Sequence, residues 1–329
     1  MLRTERPTRP RSIDDLLSAE LVLRLSQVDI ASRKMFAGKL KGERKSKKRG
    51  ESVEFADYRS YVVGDDLRHI DWNIYGRLDR LFLKLFLEEE DLSLHLVIDA
   101  SASLDCGDPS KFLFCQRAAA ALAYVGLVNF NRVSLSVLGG AERARNDSTE
   151  PDQSNGKVRT LPGDGLPMKT LRNLRGRRRT REMGDWLCSF IPEGTSEFAD
   201  HARRLALTRQ GKGVMVVLSD FLFKEGYEQG LRYLIGRGYD VVAIQVLSPQ
   251  EIKPTLGGDL RLKDIEDGDA AEVTITAPLL KRYKQNLNAY CDGLSEYCTR
   301  REITHLLVQS NLPIDTLILE YLRKRGVLR

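Results

Sequence analysis

The stretch LSLHLVIDASASLD at residues 92–105 decides the fold. Its first half, Leu94-His95-Leu96-Val97-Ile98, is a short apolar run with the length of one strand, and it stops at an aspartate, Asp99. Small polar residues follow, including Ser101 and Ser103, and then an Ala-rich segment over residues 110–129 whose length and composition predict a helix. Working outward, residues 133–138 read as a second strand. Val214-Met215-Val216-Val217-Leu218 is a continuous apolar run of the kind that strands buried on both faces require. Residues 240–247 and 306–308 add two more strands. Helices are expected over 168–174, 182–190, 197–208, 227–236, 278–300 and 314–325. Strands alternating with helices predict an α/β fold class, a doubly wound and mostly parallel sheet.

Upstream of this pattern the chain changes character. Residues 12–33 carry spaced leucines behind Ser12-Ile13-Asp14-Asp15, a capping-box sequence, and predict a helical arm. A basic stretch over 39–50 has almost no apolar content and is expected to be a loop. Residues 51–80 alternate turns with short strand-like pieces, and the apolar runs 81–87 and 92–98 flank Glu88-Glu89-Glu90-Asp91 as a β-hairpin would. Residues 141–155 form a polar insert, 157–161 an edge strand, and 260–276 a small hairpin. The expected organisation is therefore an amino-terminal helical and β-hairpin extension over 1–91 and an α/β domain over 92–329 with an insert around 255–277.

Composition narrows the function classes. With 42% hydrophobic and 30% charged residues, the 329-residue chain buries a sizeable core, which excludes disorder throughout. The longest charge-free stretch, 118–131, is too short to span a bilayer, and the first residues lack the apolar core of a signal peptide, so a cytoplasmic protein without membrane insertion is expected. Cys106, Cys115, Cys188, Cys291 and Cys298 form no CxxC pair and read as reduced thiols. The net charge of +6 comes largely from two clusters, 39–49 and 172–181. Neither contains the interleaved aromatics that single-stranded nucleic acid stacks on, so nucleic-acid binding is the weaker reading and solvated loops or an acidic protein partner the stronger.

Doubly wound sheets bind ligands at the carboxyl ends of their strands. Two such ends carry an aspartate directly after an apolar run, Asp99 and Asp220. Ser101 and Ser103 can bring hydroxyls to the same point as Asp99, and Thr195, just before a helix, offers another. A hard divalent cation wants this oxygen set. Taken singly, Asp99, Ser101 and Ser103 are ordinary turn residues, Thr195 a helix cap and Asp220 a loop residue; their joint order favours a metal site. DxSxS, a later GT and a strand-terminal aspartate resemble the metal-ion-dependent adhesion site of von Willebrand factor A domains. That resemblance implies Mg²⁺, or Mn²⁺ or Ca²⁺ in its place. It implies direct ligation by Ser101, Ser103 and Thr195, water-mediated roles for Asp99 and Asp220, and a sixth position filled by a partner's carboxylate.

A second resemblance lies in Glu54-Phe55-Ala56-Asp57-Tyr58-Arg59-Ser60-Tyr61 and Gly64-Asp65-Asp66-Leu67-Arg68-His69-Ile70-Asp71-Trp72, which are similar to the EFxxxRxYxxGDDxRxIDW signature of the bacterial family catalogued as domain of unknown function fifty-eight. Members are commonly paired with MoxR-type AAA+ ATPases, and other von Willebrand factor A proteins are further partners the resemblance suggests. It thus implies an adaptor in chaperone-like assembly or stress functions. Read on their own chemistry, Arg59, Asp65, Asp66, Arg68, Asp71 and Trp72 form either an ion-pair and turn network or a docking surface. An enzyme is not expected: GxxxxGK[ST], HExxH and GxSxG are absent, and Ser101 stands where aspartyl-phosphate hydrolases of the DxDx[TV] type have their second acid. The hydrolase alternative would use Asp99 as nucleophile.

Overall fold

A computed structural model describes residues 9–31, 55–63, 65, 67, 70–86, 92–142, 168–208, 213–236, 238–266 and 269–329. The chain divides into two compact units, Met1–Lys39 with Leu92–Arg329, and Leu40–Asp91. The amino-terminal arm therefore groups with the α/β unit, not with the β extension as the 1–91 boundary anticipated. Its leucines explain this: Leu16, Leu17 and Leu25, with Val28 and Ile30, are buried in the same core as the central strands. The arm is also two helices instead of one, α1 (Ile13–Leu16) and α2 (Ala19–Leu25). Leu17 is extended, and Ser18 begins the second helix by accepting from the Leu21 N–H at 3.2 Å. At the head of α1 the Asp15 carboxylate accepts from the Ser12 N–H, half of the expected capping box.

The smaller unit contains β1 (Phe55–Ser60), α3 (Trp72–Leu78) and β2 (Phe82–Phe86). β1 and β2 pair antiparallel, with Arg59 opposite Leu83. The hairpin expected between 81–87 and 92–98 does not form, because β3 (Ser93–Asp99) is hydrogen-bonded in parallel on both edges and has none left for a third strand. The basic stretch 39–50, the turn acids 88–91, most of the polar insert and the edge strand expected at 157–161 lie outside the described residues.

Beyond β3 come α4 (Lys111–Val128), β4 (Arg132–Leu138), the short β5 (Ala141–Glu142), β6 (Met168–Leu174), α5 (Thr180–Cys188), the short β7 (Phe190–Ile191) and α6 (Phe198–Thr208). They continue with β8 (Gly213–Ser219), α7 (Glu228–Ile235), β9 (Asp240–Leu247), α8 (Pro249–Ile252), β10 (Gly258–Lys263), β11 (Ala270–Ile275), α9 (Ala277–Thr299) and β12 (Thr304–Gln309). A last helix contains a π-helical turn, Thr316–Leu322. The main sheet runs β12-β9-β8-β3-β4-β6, parallel except for β6. It is mixed α/β with a mostly parallel sheet covered on both faces by apolar clusters. α4 is apolar enough, by length and composition, to cross a membrane, but its side chains are buried in the protein along nearly the whole helix.

β6 corrects the helix expected at 168–174. Met168, Leu171 and Leu174 are buried at a spacing of three, which reads as one face of a helix. In the strand this spacing has two causes: Met168 and Leu171 enter opposite apolar clusters, and a bulge in which Ser134 of β4 opposes both Arg172 and Asn173 returns Leu174 to the face of Leu171. Asn173, inside that bulge, has φ 56°, the left-handed conformation asparagine tolerates. His95 sits inside β3 as a core residue, its Nε2 2.9 Å from the Ser136 hydroxyl.

His201 in α6 is fully buried, and chiefly for that reason its pKa is pulled down to about 4. The unfolded chain binds a proton there near pH 6.5, so this contribution to stability is present above pH 6.5 and is lost as the pH falls toward 4. Urea melts at pH 7.5 and pH 4.5 should show a loss attributable to this residue of about 3 kcal/mol. In His201→Leu that part of the pH dependence should disappear; an equally steep acid loss in the variant would refute it.

Candidate metal centre

The loops at the carboxyl end of the sheet are stitched together before any side chain is considered. Ala100 N–H donates to Leu138 C=O at 2.8 Å, Glu193 N–H to Ala100 C=O at 3.0 Å, Gly140 N–H to Glu193 C=O at 3.1 Å and Ala102 N–H to Gly194 C=O at 2.9 Å. The loop after β3 is thus clamped between the loop after β4 and the Glu193–Thr195 segment. Gly139 and Gly140, at φ 71° and 73°, permit the approach: a Cβ on Gly140 would lie 2.8 Å from Ala100 Cβ and 2.9 Å from Ile191 O.

Within this frame the Asp99 carboxylate is buried. Its Oδ1 accepts from Ser101 N–H at 3.0 Å and its Oδ2 from the Ser219 hydroxyl at 2.7 Å. The Ser101 and Ser103 hydroxyl oxygens are 3.0 Å apart. Asp220, at the end of β8, accepts from Leu222 N–H on Oδ1 at 3.1 Å. Thr195 is on the clamped loop and exposed, its carbonyl 3.2 Å from the point where a Cβ on Gly139 would stand. Asp99, Ser101, Ser103 and Asp220 are brought together, and the backbone of Thr195 beside them.

One residue of this site was not foreseen. Lys111, first in α4 and 0% exposed, donates to Asp220 Oδ2 at 2.8 Å and to Glu251 Oε1 at 2.6 Å. Glu251 is itself fixed by a capping box on α8, with its Oε2 accepting from Ser248 N–H at 2.7 Å and its N–H donating to Ser248 Oγ at 3.2 Å. Burial alone would pull the Lys111 pKa down, but the two carboxylates outweigh it and hold it above the usual lysine value. The only signal is weak: an ammonium in the first turn of a helix opposes the macrodipole, at a cost that solvent exposure removes.

Asp99 shows the opposite imbalance. Burial, and then the charge of Asp220, push its pKa up to about 6 against the hydrogen bonds from Ser219 and Ser101. Glu266, half-buried in the turn between β10 and β11, is also pushed up, first by burial, opposed by a hydrogen bond from Ser103 and with Asp220 adding to the rise. Lys111 thus bridges Asp220 and Glu251, and Asp99 lies close enough to Asp220 to feel its charge.

These residues suit a hard divalent cation. Every side chain here apart from Lys111 is an oxygen donor, and the charge excess is negative. Hydroxyls 3.0 Å apart match the edge of an octahedron whose bonds are about 2.1 Å long. Among the described residues no group of three or more His, Cys, Asp or Glu side chains is arranged to hold a metal, so the fit rests on the serine hydroxyls beside Asp99 and Asp220. Each oxygen of Asp99 and of Asp220 accepts one hydrogen bond, from Ser101 N–H and the Ser219 hydroxyl and from Leu222 N–H and Lys111.

In the smaller unit, Arg59 donates to Asp65 Oδ1 at 2.7 Å while Asp65 Oδ2 accepts from Val62 N–H at 2.9 Å, a clamp on the turn after β1. The Val62 bond, ahead of Arg59, holds the Asp65 carboxyl below its usual value. Asp71 caps α3 through Asn73 and Ile74 N–H and takes the Tyr58 hydroxyl at 3.2 Å. Trp72 is 63% exposed, edge-on to Tyr75. Asp66 and Arg68 lie outside the described residues.

Residues 57–290 match the family described as "Protein of unknown function DUF58". The chain belongs to the DUF58 family. This DUF58 protein is 26% identical over 270 residues to the uncharacterized protein Rv1480 of Mycobacterium tuberculosis, spanning 80% of this chain and 77% of that one, and equally to Mb1516 of Mycobacterium bovis. Over 68 residues it is 37% identical to MAV169 of Mycobacterium avium, 21% of this chain and 40% of that protein. Among solved structures it has a likeness to the conserved hypothetical protein BatB from Bacteroides thetaiotaomicron, at 11% identity and a TM-score of 0.41 over 71% of this chain and 98% of that one. An aerotolerance-related membrane protein from Bacteroides fragilis gives 14% identity and a TM-score of 0.36 over 70% and 99% of the two chains.

Proposed function

We propose that this DUF58 protein is a von Willebrand factor A-like, divalent-cation-dependent adaptor that binds a protein partner and does not transform it. The observation that carries the reading is the pair of hydroxyls, Ser101 and Ser103, 3.0 Å apart beside two buried carboxylates at the carboxyl end of the sheet. Ser101, Ser103 and Thr195 would hold Mg²⁺, or Mn²⁺ or Ca²⁺, directly. Asp99 and Asp220 would act through their charge and through water, since their oxygens are engaged by Ser101, Ser219, Leu222 and Lys111. The bound cation supplies a Lewis-acidic position for one carboxylate oxygen of the partner. The chain's own part is orientation: the glycine pair and the Glu193–Thr195 clamp hold the hydroxyls, and Lys111 fixes Asp220.

Hydrolysis is the weaker reading because Asp99, the residue it needs as nucleophile, is buried with both oxygens hydrogen-bonded. For the partner we propose a MoxR-type AAA+ ATPase, in keeping with the family resemblance. Exposed Trp72, edge-on to Tyr75, has the character of a binding anchor on the smaller unit. The exposed arginines at 172, 175, 177, 178, 179 and 181 suit an acidic surface.

A pull-down of the purified MoxR-type ATPase of the same organism onto the immobilised full chain tests this. Capture should require Mg²⁺ and fall at least about tenfold with EDTA or in Asp99→Ala, the scale on which losing a site's supporting carboxylate weakens metal binding. Equal capture in EDTA would rule out the cation-bridged mechanism, and steady release of phosphate from a model ester would favour the hydrolase.

A further inference from the structure

The end of the main sheet opposite Asp99 carries a different surface. β4 starts there and β6, antiparallel to it, ends there, with Val133 opposite Leu174, so the loop before β4 and the loop after β6 meet. Arg172 on β6 and Arg175, Arg177, Arg178, Arg179 and Arg181 beyond it are all exposed. Arg179 pairs with Glu182 at 2.8 Å, whereas Arg172, Arg177, Arg178 and Arg181 pair with no acid among the described residues. Like charge at this density is unfavourable until an anion joins it.

Phe130 stands against this run. It ends α4 in a Schellman turn, its N–H donating to Leu127 C=O at 3.2 Å and the Asn131 N–H to Gly126 C=O at 2.9 Å. That position suits glycine, and φ 56° is strained for a bulky side chain. Burial does not offset the strain, since the ring is 52% exposed. It leans on the turn at Gly176, where a Cβ would lie 3.7 Å from Phe130 Cε1. The fold thus supplies from another loop the aromatic ring that the arginine run lacks in its own sequence.

We propose that this face binds a single-stranded nucleic acid, the arginines holding successive phosphates and one base stacking on Phe130. Charge alone would suit an acidic protein surface as well; the ring decides between them, because it offers a base a stacking platform and contributes little to pairing with carboxylates. Arginine fits the same ligand, since its planar fork takes phosphate oxygens in pairs. A membrane is the poorer match, as one phenylalanine brings little apolar area. The face lies at the far end of the strands from the candidate cation centre and works without it.

The test is fluorescence anisotropy of a labelled oligothymidylate of about a dozen nucleotides, titrated with the full chain in EDTA at low salt. The wild type should bind, and more weakly as salt rises. Phe130→Gly should raise the Kd about tenfold while melting no lower than the wild type, because glycine accepts φ 56° without strain. Arg177→Gln combined with Arg178→Gln should also raise the Kd about tenfold and flatten the salt dependence. No binding by the wild type would overturn the proposal. A Kd unchanged in both variants would overturn it too, by placing the oligonucleotide elsewhere, as on the basic stretch 39–49. Polyglutamate competing as well as unlabelled oligothymidylate, with Phe130→Gly equal to the wild type, would assign the face to an acidic protein instead.

Discussion

Lys111→Met is expected to lower the unfolding free energy by about 3–5 kcal/mol, the cost of stripping a buried carboxylate of its partner. Lys111 is 0% exposed, and its loss leaves Asp220, 2% exposed, and Glu251 facing each other with no cation between them. For a chain of this size that corresponds to a melting temperature lower by roughly 10 °C. Lys111→Met combined with Asp220→Asn and Glu251→Gln should recover most of the loss, because a buried ion-pair cluster is worth little more than a neutral replacement of similar shape. Urea denaturation of the two variants decides it. A single variant within 1 kcal/mol of wild type, about the typical cost of any point substitution, would show that Lys111 does not neutralise these acids.

Asp99→Asn is expected to behave in opposite ways with and without a divalent cation. The folded-state pKa of Asp99 is raised, to about 6 from 3.8, so protonation favours the folded state. That contribution is complete below pH 3.8 and is lost as the pH rises through 6, leaving an ionised carboxylate that costs about 3 kcal/mol at neutral pH. In EDTA at pH 7.5 the neutral asparagine should therefore be the more stable by an amount of that order. It keeps an oxygen for Ser101 N–H and offers its amide to the Ser219 hydroxyl. In excess Mg²⁺ the order should narrow or invert, because only the carboxylate gains from the cation. Melts of the two proteins in EDTA and in Mg²⁺ give the comparison, and a gap that ignores Mg²⁺ would contradict the placement of Asp99 beside a cation.

How much of this was legible follows from where each residue's partners lie in the chain. The strands at 94–98, 214–218 and 240–247 announce themselves because burial on both faces demands uninterrupted apolar runs, and Asp99 and Asp220 stand out as the first polar residues after two of them. The DxSxS loop was legible for the same reason: its geometry is local. Lys111 was not, since it is separated by 109 residues from Asp220 and by 140 from Glu251, and a lysine at a helix start reads as a solvated charge. β6 imitated a helix because burial on both faces and a bulge, two residues opposite one, together bury Met168, Leu171 and Leu174 at a spacing of three. The strand Phe82–Phe86 was paired with its neighbour in sequence when its true partner, Phe55–Ser60, lies across the turn and helix that carry Asp65 and Trp72.

The most direct measurement is the number of Mn²⁺ ions bound by the full chain at pH 7.5, read from the free Mn²⁺ signal in electron paramagnetic resonance, for the wild type and for Ser101→Ala with Ser103→Ala. One bound ion is expected in the wild type, displaced by excess Mg²⁺, and none in the double variant at the same concentrations. Equal binding by both proteins, or no bound ion in the wild type, would contradict it.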